Sequence, residues 1–197
     1  MERSHTAARL LPGESVLIHA AAGGVGTLAA QFARLAGAGR VVGVAGCAAR
    51  AEYAGGFGYD QVVARRAHRS ALEDERFDVI LDPVGGATRR SGIARLAPHG
   101  RLVAYGNLGG YEPVVADVND LLAQGTSLMT YNSNLLARTH PGRFADSARR
   151  ALALVAGGEA RVDITAEYDM ADLAGAVEHL AGGATLGKSV LRVGSER

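Results

Sequence analysis

Cysteine, tryptophan and lysine are almost missing from this sequence, and each gap excludes something. One residue of 197 is a cysteine, Cys47. No disulfide framework and no cysteine-rich zinc site can therefore form within the chain. A reducing compartment suits it, and the cytoplasm is the expected location. There is no tryptophan and aromatic residues are 5%, too few for base-stacking platforms. The 21 basic and 20 acidic side chains leave a formal charge of +1. That gives no electrostatic case for nucleic acid or an acidic membrane as partner. Long apolar runs are missing too. Met1-Glu2-Arg3-Ser4-His5 is polar, with no signal-peptide core read after it, and the run Val16 to Ala22 contains His19 and is too short to span a bilayer. Lys188 is the one lysine; with abundant Ala and Gly, this fits a GC-rich genome more than a function.

What remains is ordinary for a globular domain, with 48% hydrophobic residues. Short apolar runs alternate with helical segments. Ser15 to Ala20, Arg40 to Ala45, Gln61 to Ala64, Phe77 to Asp82, Arg101 to Tyr105 and Ser127 to Tyr131 read as strands. Thr27 to Gly37, Ala48 to Phe57, Ala87 to Leu96 and Phe144 to Ala156 read as helices. Strands this apolar, separated by helices, predict a doubly wound parallel α/β sheet covered on both faces. The expected division is this doubly wound domain over 1–160 and a strand-helix-strand extension over 161–197, with no internal repeat or linker.

The chemistry-bearing segment lies between the first strand and the first helix. Ala20-Ala21-Ala22-Gly23-Gly24-Val25-Gly26 has the strand, tight turn and helix that a dinucleotide site needs. Gly23 is expected to supply unusual backbone angles and Gly24 to clear space for pyrophosphate. Gly26 is expected to let the helix close on the strand. The N–H groups and dipole of the helix start would hold the phosphates. Ala21 stands where the stricter G-x-G-x-x-G pattern has its first glycine. Alone, such a turn can also be purely structural.

The turn resembles the A-x-x-G-x-x-G turn of the quinone oxidoreductase branch of the medium-chain dehydrogenases/reductases, a group that includes the enoyl reductases of polyketide synthesis. Further matches follow in order: Pro12 to Ile18, Asp78-Val79-Ile80-Leu81-Asp82-Pro83-Val84-Gly85-Gly86, Gly100 to Gly106, and Gly187 to Leu191. The resemblance runs from about Leu11 to Val193. It implies a Rossmann fold, NADP(H) as cofactor, and hydride transfer to a quinone or activated enone without zinc. It also implies cofactor contacts at Ala22 and Val25 in the turn, at Val84 and Gly85, at Gly106 and Asn107, at Asn132 and at Lys188. Turn chemistry is the alternative for Asn107 and Asn132.

The choice between NADP and NAD turns on the end of the second strand. NAD enzymes usually place a carboxylate there for the ribose hydroxyls. Here it reads Gly46-Cys47-Ala48-Ala49-Arg50, with no carboxylate before Glu52. Small residues beside an arginine suit a 2′-phosphate, because the guanidinium fork fits phosphate. The resemblance assigns that phosphate to Arg50, with Gly46 and Cys47 beside it. It often has a Tyr where this chain has Ala64, a loss that Arg65 could offset. A solvated helix position is the alternative for Arg50.

Other motifs fall away. Gly182 to Ser189 matches G-x-x-x-x-G-K-[ST] literally, but it follows a helix and opens a strand, the reverse of a triphosphatase loop. The short-chain dehydrogenase Tyr-x-x-x-Lys is impossible, since position 184 is Ala. Methyltransferases want the second-strand carboxylate that is absent. The six histidines form no zinc pattern. His19 is expected in the core, and Cys47 as a small packing residue. No residue can be assigned as catalytic acid.

The resemblance also implies a separate catalytic domain ahead of the cofactor domain, and that part is expected to be absent here. Three functions therefore compete. The chain is an NADPH-dependent quinone or enoyl reductase; or it is the cofactor-binding half of a split or truncated reductase; or it is a non-catalytic interaction subunit. A small-molecule substrate is expected, with a homo-oligomer or a separate catalytic-domain chain as partner. Apolar surface beyond Arg161 would favour such association.

Overall fold

A computed structural model describes residues 8–183 and 185–194, the side chain of Arg69 apart. The first part of the chain alternates β1 (Ser15–His19), α1 (Gly24–Leu35), β2 (Arg40–Ala45), α2 (Ala48–Gly55), β3 (Gln61–Ala64), α3 (His68–Ala71) and β4 (Phe77–Asp82). It continues through α4 (Gly86–Ile93), β5 (Leu96–Ala104), α5 (Val118–Gln124), β6 (Ser127–Thr130), α6 (Ser133–Thr139) and α7 (Pro141–Ala156). The six strands form one sheet in the order β3-β2-β1-β4-β5-β6, and all neighbours are parallel. This is the expected doubly wound α/β fold. The strand order reverses between β1 and β4, and ligands of such sheets bind outside the carboxyl ends of the strands at that point.

Alternation along β1 explains the two-sided core. Val16 and Ile18 point to one face with Ala30 and Ala33 of α1. Leu17 points to the other, with Val42, Phe77, Ile80 and Leu102. Because both faces are buried, the strands read as unbroken apolar runs rather than alternating ones. The buried residues of α1 are Gly26, Thr27, Ala30 and Ala33. They lie at helical spacing and are all small, so the helix axis comes close to the sheet.

Three differences from the sequence reading have local causes. Helix α1 begins at Gly24 rather than Thr27, since Gly23 is its N-cap. Strand β5 begins at Leu96, which pairs with Phe77 before a register shift; Pro98 and Gly100 therefore lie inside the strand. The short helices α3, α5 and α6 were not expected. Asp117 and Asn132 start α5 and α6 by accepting from the Asn119 and Leu135 N–H groups, and Gly125, at φ 64°, ends α5.

The chain ends in β7 (Ile164–Asp169), a 3-10 turn, α8 (Leu173–Ala181) and β8 (Lys188–Arg192). Strands β7 and β8 pair in parallel as a separate sheet. Polar contacts fasten this unit to α1 and α2. Tyr53 donates its hydroxyl to Asp163 Oδ2 at 2.6 Å. Gln31 and the Arg161 backbone exchange bonds of 3.0 and 2.8 Å, and the Arg161 guanidinium lies 4.5 Å from the Phe57 ring centre. Ile164, Val177, Leu180 and Val193 remain exposed. Among the described residues, no helix is long and apolar enough to cross a membrane.

Candidate dinucleotide site

The turn after β1 is held by its own backbone. Ala20 takes the left-handed φ of 56°, and its carbonyl accepts from Gly23 N–H at 3.1 Å. Gly23 itself is extended, with φ −83° and ψ 165°. This corrects the expectation that Gly23 supplies the unusual angles: the left-handed residue of this turn is an alanine. A Cβ on Gly23 would meet nothing nearer than Ala20 O at 3.4 Å. Gly26 is where glycine is required, since a Cβ there would lie 2.7 Å from the Ala21 carbonyl oxygen. Tyr59, just before β3, donates its hydroxyl to Gly26 O at 2.8 Å and pins the first turn of α1. No acidic residue or side-chain cap occupies the start of α1, so its N-terminal dipole remains available to an anion.

Gly24 has a second neighbour that the sequence did not reveal. A Cβ there would lie 3.0 Å from Gly187 O and 3.2 Å from Lys188 Cε. Gly187 N–H donates to Ala22 O at 2.9 Å, and Gly23 and Gly187 form a parallel bridge. The space at Gly24 assigned to pyrophosphate is thus partly taken by the start of β8. The same packing carries the one lysine, distant in sequence, to the start of α1.

At the end of β2 a Cβ on Gly46 would lie 3.4 Å from Arg50 Nη1 and 4.0 Å from Arg65 Nη2. Two guanidinium groups thus approach the same glycine. No ion pair among the described residues includes either of them. Cys47 is the N-cap of α2, exposed, with no side-chain hydrogen bond. Its exposure corrects the expectation of a small packing residue.

The β4 end is organised by Asp82, which is fully buried. Its Oδ1 accepts from Val84 N–H at 2.8 Å and Gly85 N–H at 3.1 Å. Its Oδ2 accepts from Arg89 Nε at 2.6 Å. Arg89 also donates to Gly106 O at 2.7 Å and to Asn107 Oδ1 at 3.2 Å. Val84, Gly85, Gly106 and Asn107 therefore belong to one hydrogen-bonded unit. Sequence reasoning missed its organisers, Asp82 and Arg89. The available signal was a carboxylate closing a strand, followed seven residues later by an arginine in the first turn of the next helix.

Beside this unit lies a polar cavity of about 350 Å³, lined by Arg89, Tyr105, Asn107, Tyr131 and Asn132 among others. Burial, and then the Asp82 carboxylate, push the Tyr105 hydroxyl well above its usual pKa. Asn132 borders the cavity while its Oδ1 accepts from Leu135 N–H at 2.9 Å, so its side chain does perform turn chemistry. An adjoining apolar groove of about 420 Å³, lined in part by Val25, Phe32, Leu81 and Val103, shares Tyr105 and Tyr131 with it. His19 is 2% exposed and belongs to the core as expected. Burial lowers its pKa to about 4 despite the nearby Asp82 charge, and its Nε2 has no hydrogen-bond partner among the described residues. Gly182 to Ser189 follows α8 and opens β8, with Ala184 outside the described residues. Among the described residues, no cluster of three or more His, Cys, Asp or Glu could hold a metal ion.

A family model described as zinc-binding dehydrogenase matches residues 24–150. A quinone oxidoreductase of Pseudomonas aeruginosa is 30% identical over 192 residues, covering 91% of this chain and 56% of that protein. The chain belongs to the zinc-binding dehydrogenase family, in the quinone oxidoreductase branch of the medium-chain dehydrogenases/reductases. Within that branch, the crystal structure of Escherichia coli quinone oxidoreductase complexed with NADPH superposes with a TM-score of 0.75 at 30% identity, covering 92% of this chain and 57% of that one. The phthioceranic/hydroxyphthioceranic acid synthase of Mycobacterium tuberculosis is 30% identical over 195 residues, 96% of this chain but 9% of that protein. The chain therefore spans a small part of the synthase and just over half of the quinone oxidoreductases.

Proposed function

We propose that this chain binds NADP(H) across the carboxyl ends of β1, β2, β4 and β5. It serves a zinc-independent reductase that passes hydride to a quinone or an activated enone. The observation that carries the reading is the pair of guanidinium groups, Arg50 and Arg65, beside Gly46, with no carboxylate among the described residues paired to either. A ribose 2′-phosphate fits that fork, whereas a bare ribose would favour an acidic residue there. The α1 start and the turn residues Ala22, Gly23, Val25 and Gly26 receive the pyrophosphate, beside the start of β8 that packs on Gly24, with the Lys188 ammonium adding positive charge. Gly46 and Cys47 leave space at the ribose. Val84, Gly85, Gly106, Asn107 and Asn132 border the nicotinamide end. The cofactor supplies the hydride, and the chain's residues bind and orient it. NADPH in the crystal structure of the E. coli relative supports the choice.

A second reading is favoured by the exposed Ile164, Val177, Leu180 and Val193. In it the chain is the cofactor-binding half, and further polypeptide, from a second copy or a separate chain, completes the substrate pocket. Titration of the purified chain with NADPH and NADH, followed by a quinone or enone turnover assay, separates the two. Binding with turnover supports the reductase, and binding without turnover supports the half-enzyme. Failure to bind either nucleotide would overturn both and leave a non-catalytic interaction subunit.

A further inference from the structure

We infer that Arg89 is a positioning residue, which fixes the loops after β4 and β5 at the nicotinamide end of the site. The inference rests on the NADP(H) reading above. Arg89 stands in the first turn of α4, yet its guanidinium reaches three acceptors on two loops. These are Asp82 Oδ2 at 2.6 Å, Gly106 O at 2.7 Å and Asn107 Oδ1 at 3.2 Å. A planar fork spans such acceptors at once, whereas a lysine ammonium offers a single point. Asp82 is fully buried, and its remaining hydrogen-bonding capacity goes to Val84 and Gly85 N–H. The carboxylate therefore depends on Arg89 for its counter-charge and transmits that anchor to the β4 loop. That loop has a conformation that must be held, because Gly85 and Gly86 take φ of 84° and 52°. The β5 loop lies directly on it: Leu108 and Gly109 N–H donate to Pro83 and Val84 carbonyls at 2.9 Å each. Arg89 thus ties together both loops and lines the polar cavity that they border.

The test uses the full chain and two probes. NADPH spans the whole site, whereas adenosine 2′,5′-bisphosphate reaches only the adenosine end. Arg89→Lys keeps the charge beside Asp82 but cannot keep all three bonds. It should weaken NADPH about tenfold and the bisphosphate less than about twofold. A general structural defect would weaken both alike. Should Arg89→Lys fail to fold, the double variant Asp82→Asn/Arg89→Met removes both charges and leaves no buried ion unpaired; the same split is expected from it. Parallel losses on both probes, or no loss on either, would overturn the inference. A parent chain that binds the bisphosphate and NADPH upholds the cofactor reading whatever the variants do. A parent that binds neither overturns that reading and this inference with it.

Discussion

Replacing His19 by leucine should remove a distinct acid sensitivity from the fold. His19 closes β1 and is 2% exposed. Burial lowers its pKa from the ordinary 6.5 to about 4; Asp82 works against that shift, while His68 and Arg95 add to it. An unfolded chain takes up the proton near pH 6.5, and the folded chain resists it until about pH 4. The depressed value therefore stabilises the fold above the unfolded pKa, and that stability is lost as pH falls through the window. A difference of about 2.5 pKa units corresponds to roughly 3 kcal/mol in full, of which about 2 kcal/mol is lost by pH 5. Urea unfolding at pH 7.5 and pH 5 measures it, with the parent and His19→Leu compared under identical salt. Most carboxylates stay ionised down to pH 5, so the difference between the two chains isolates the imidazole. The parent should lose about 2 kcal/mol more than the variant over this interval. Equal losses would refute the reasoning and mean that His19 is solvated or charged in the native state.

The other predictions concern the turn and the C-terminal unit. Gly26→Ala should destabilise the fold by about 2–3 kcal/mol, because its Cβ has nowhere to go against the Ala21 carbonyl; thermal melting would show it. Gly23→Ala, at an extended backbone position with space beside it, should melt close to the parent. Equal damage from both would contradict the turn geometry. Tyr53→Phe removes the hydroxyl that bonds to Asp163 and should cost about 1–2 kcal/mol. Because that bond fastens the β7–β8 unit, limited proteolysis after residue 160 should accelerate in the variant before global melting begins.

The fold was largely legible, for a physical reason. Burial on both faces turns each strand into an apolar run, and the β1 turn concentrates glycines where a helix must begin close to a strand. Capped short helices were not legible. In α5 and α6 the order rests on Asp117 and Asn132, which look like any loop polar residues in sequence. The candidate site was legible where its contacts are local, as with Gly46 and Arg50. It was not legible where contacts join distant segments. Nothing near Gly24 announces that Gly187 and Lys188 lie against it. Nothing near Arg89 announces that its acceptors include Gly106 and Asn107. The roles of individual glycines also escaped the pattern: Gly23 matches the motif without needing to be glycine for the fold, while Ala20 bears the left-handed turn.

The most direct test of the central claim is coenzyme discrimination by the Arg50–Arg65 pair. NADPH and NADH dissociation constants are measured for the parent and for the double variant Arg50→Gln/Arg65→Gln. The parent should favour NADPH by more than about tenfold, and the variant should lose that preference while binding NADH as the parent does, since only the 2′-phosphate contact is removed. A parent that binds NADH as tightly as NADPH, or a variant that keeps the full preference, would contradict the assignment of this end of the site to NADP(H).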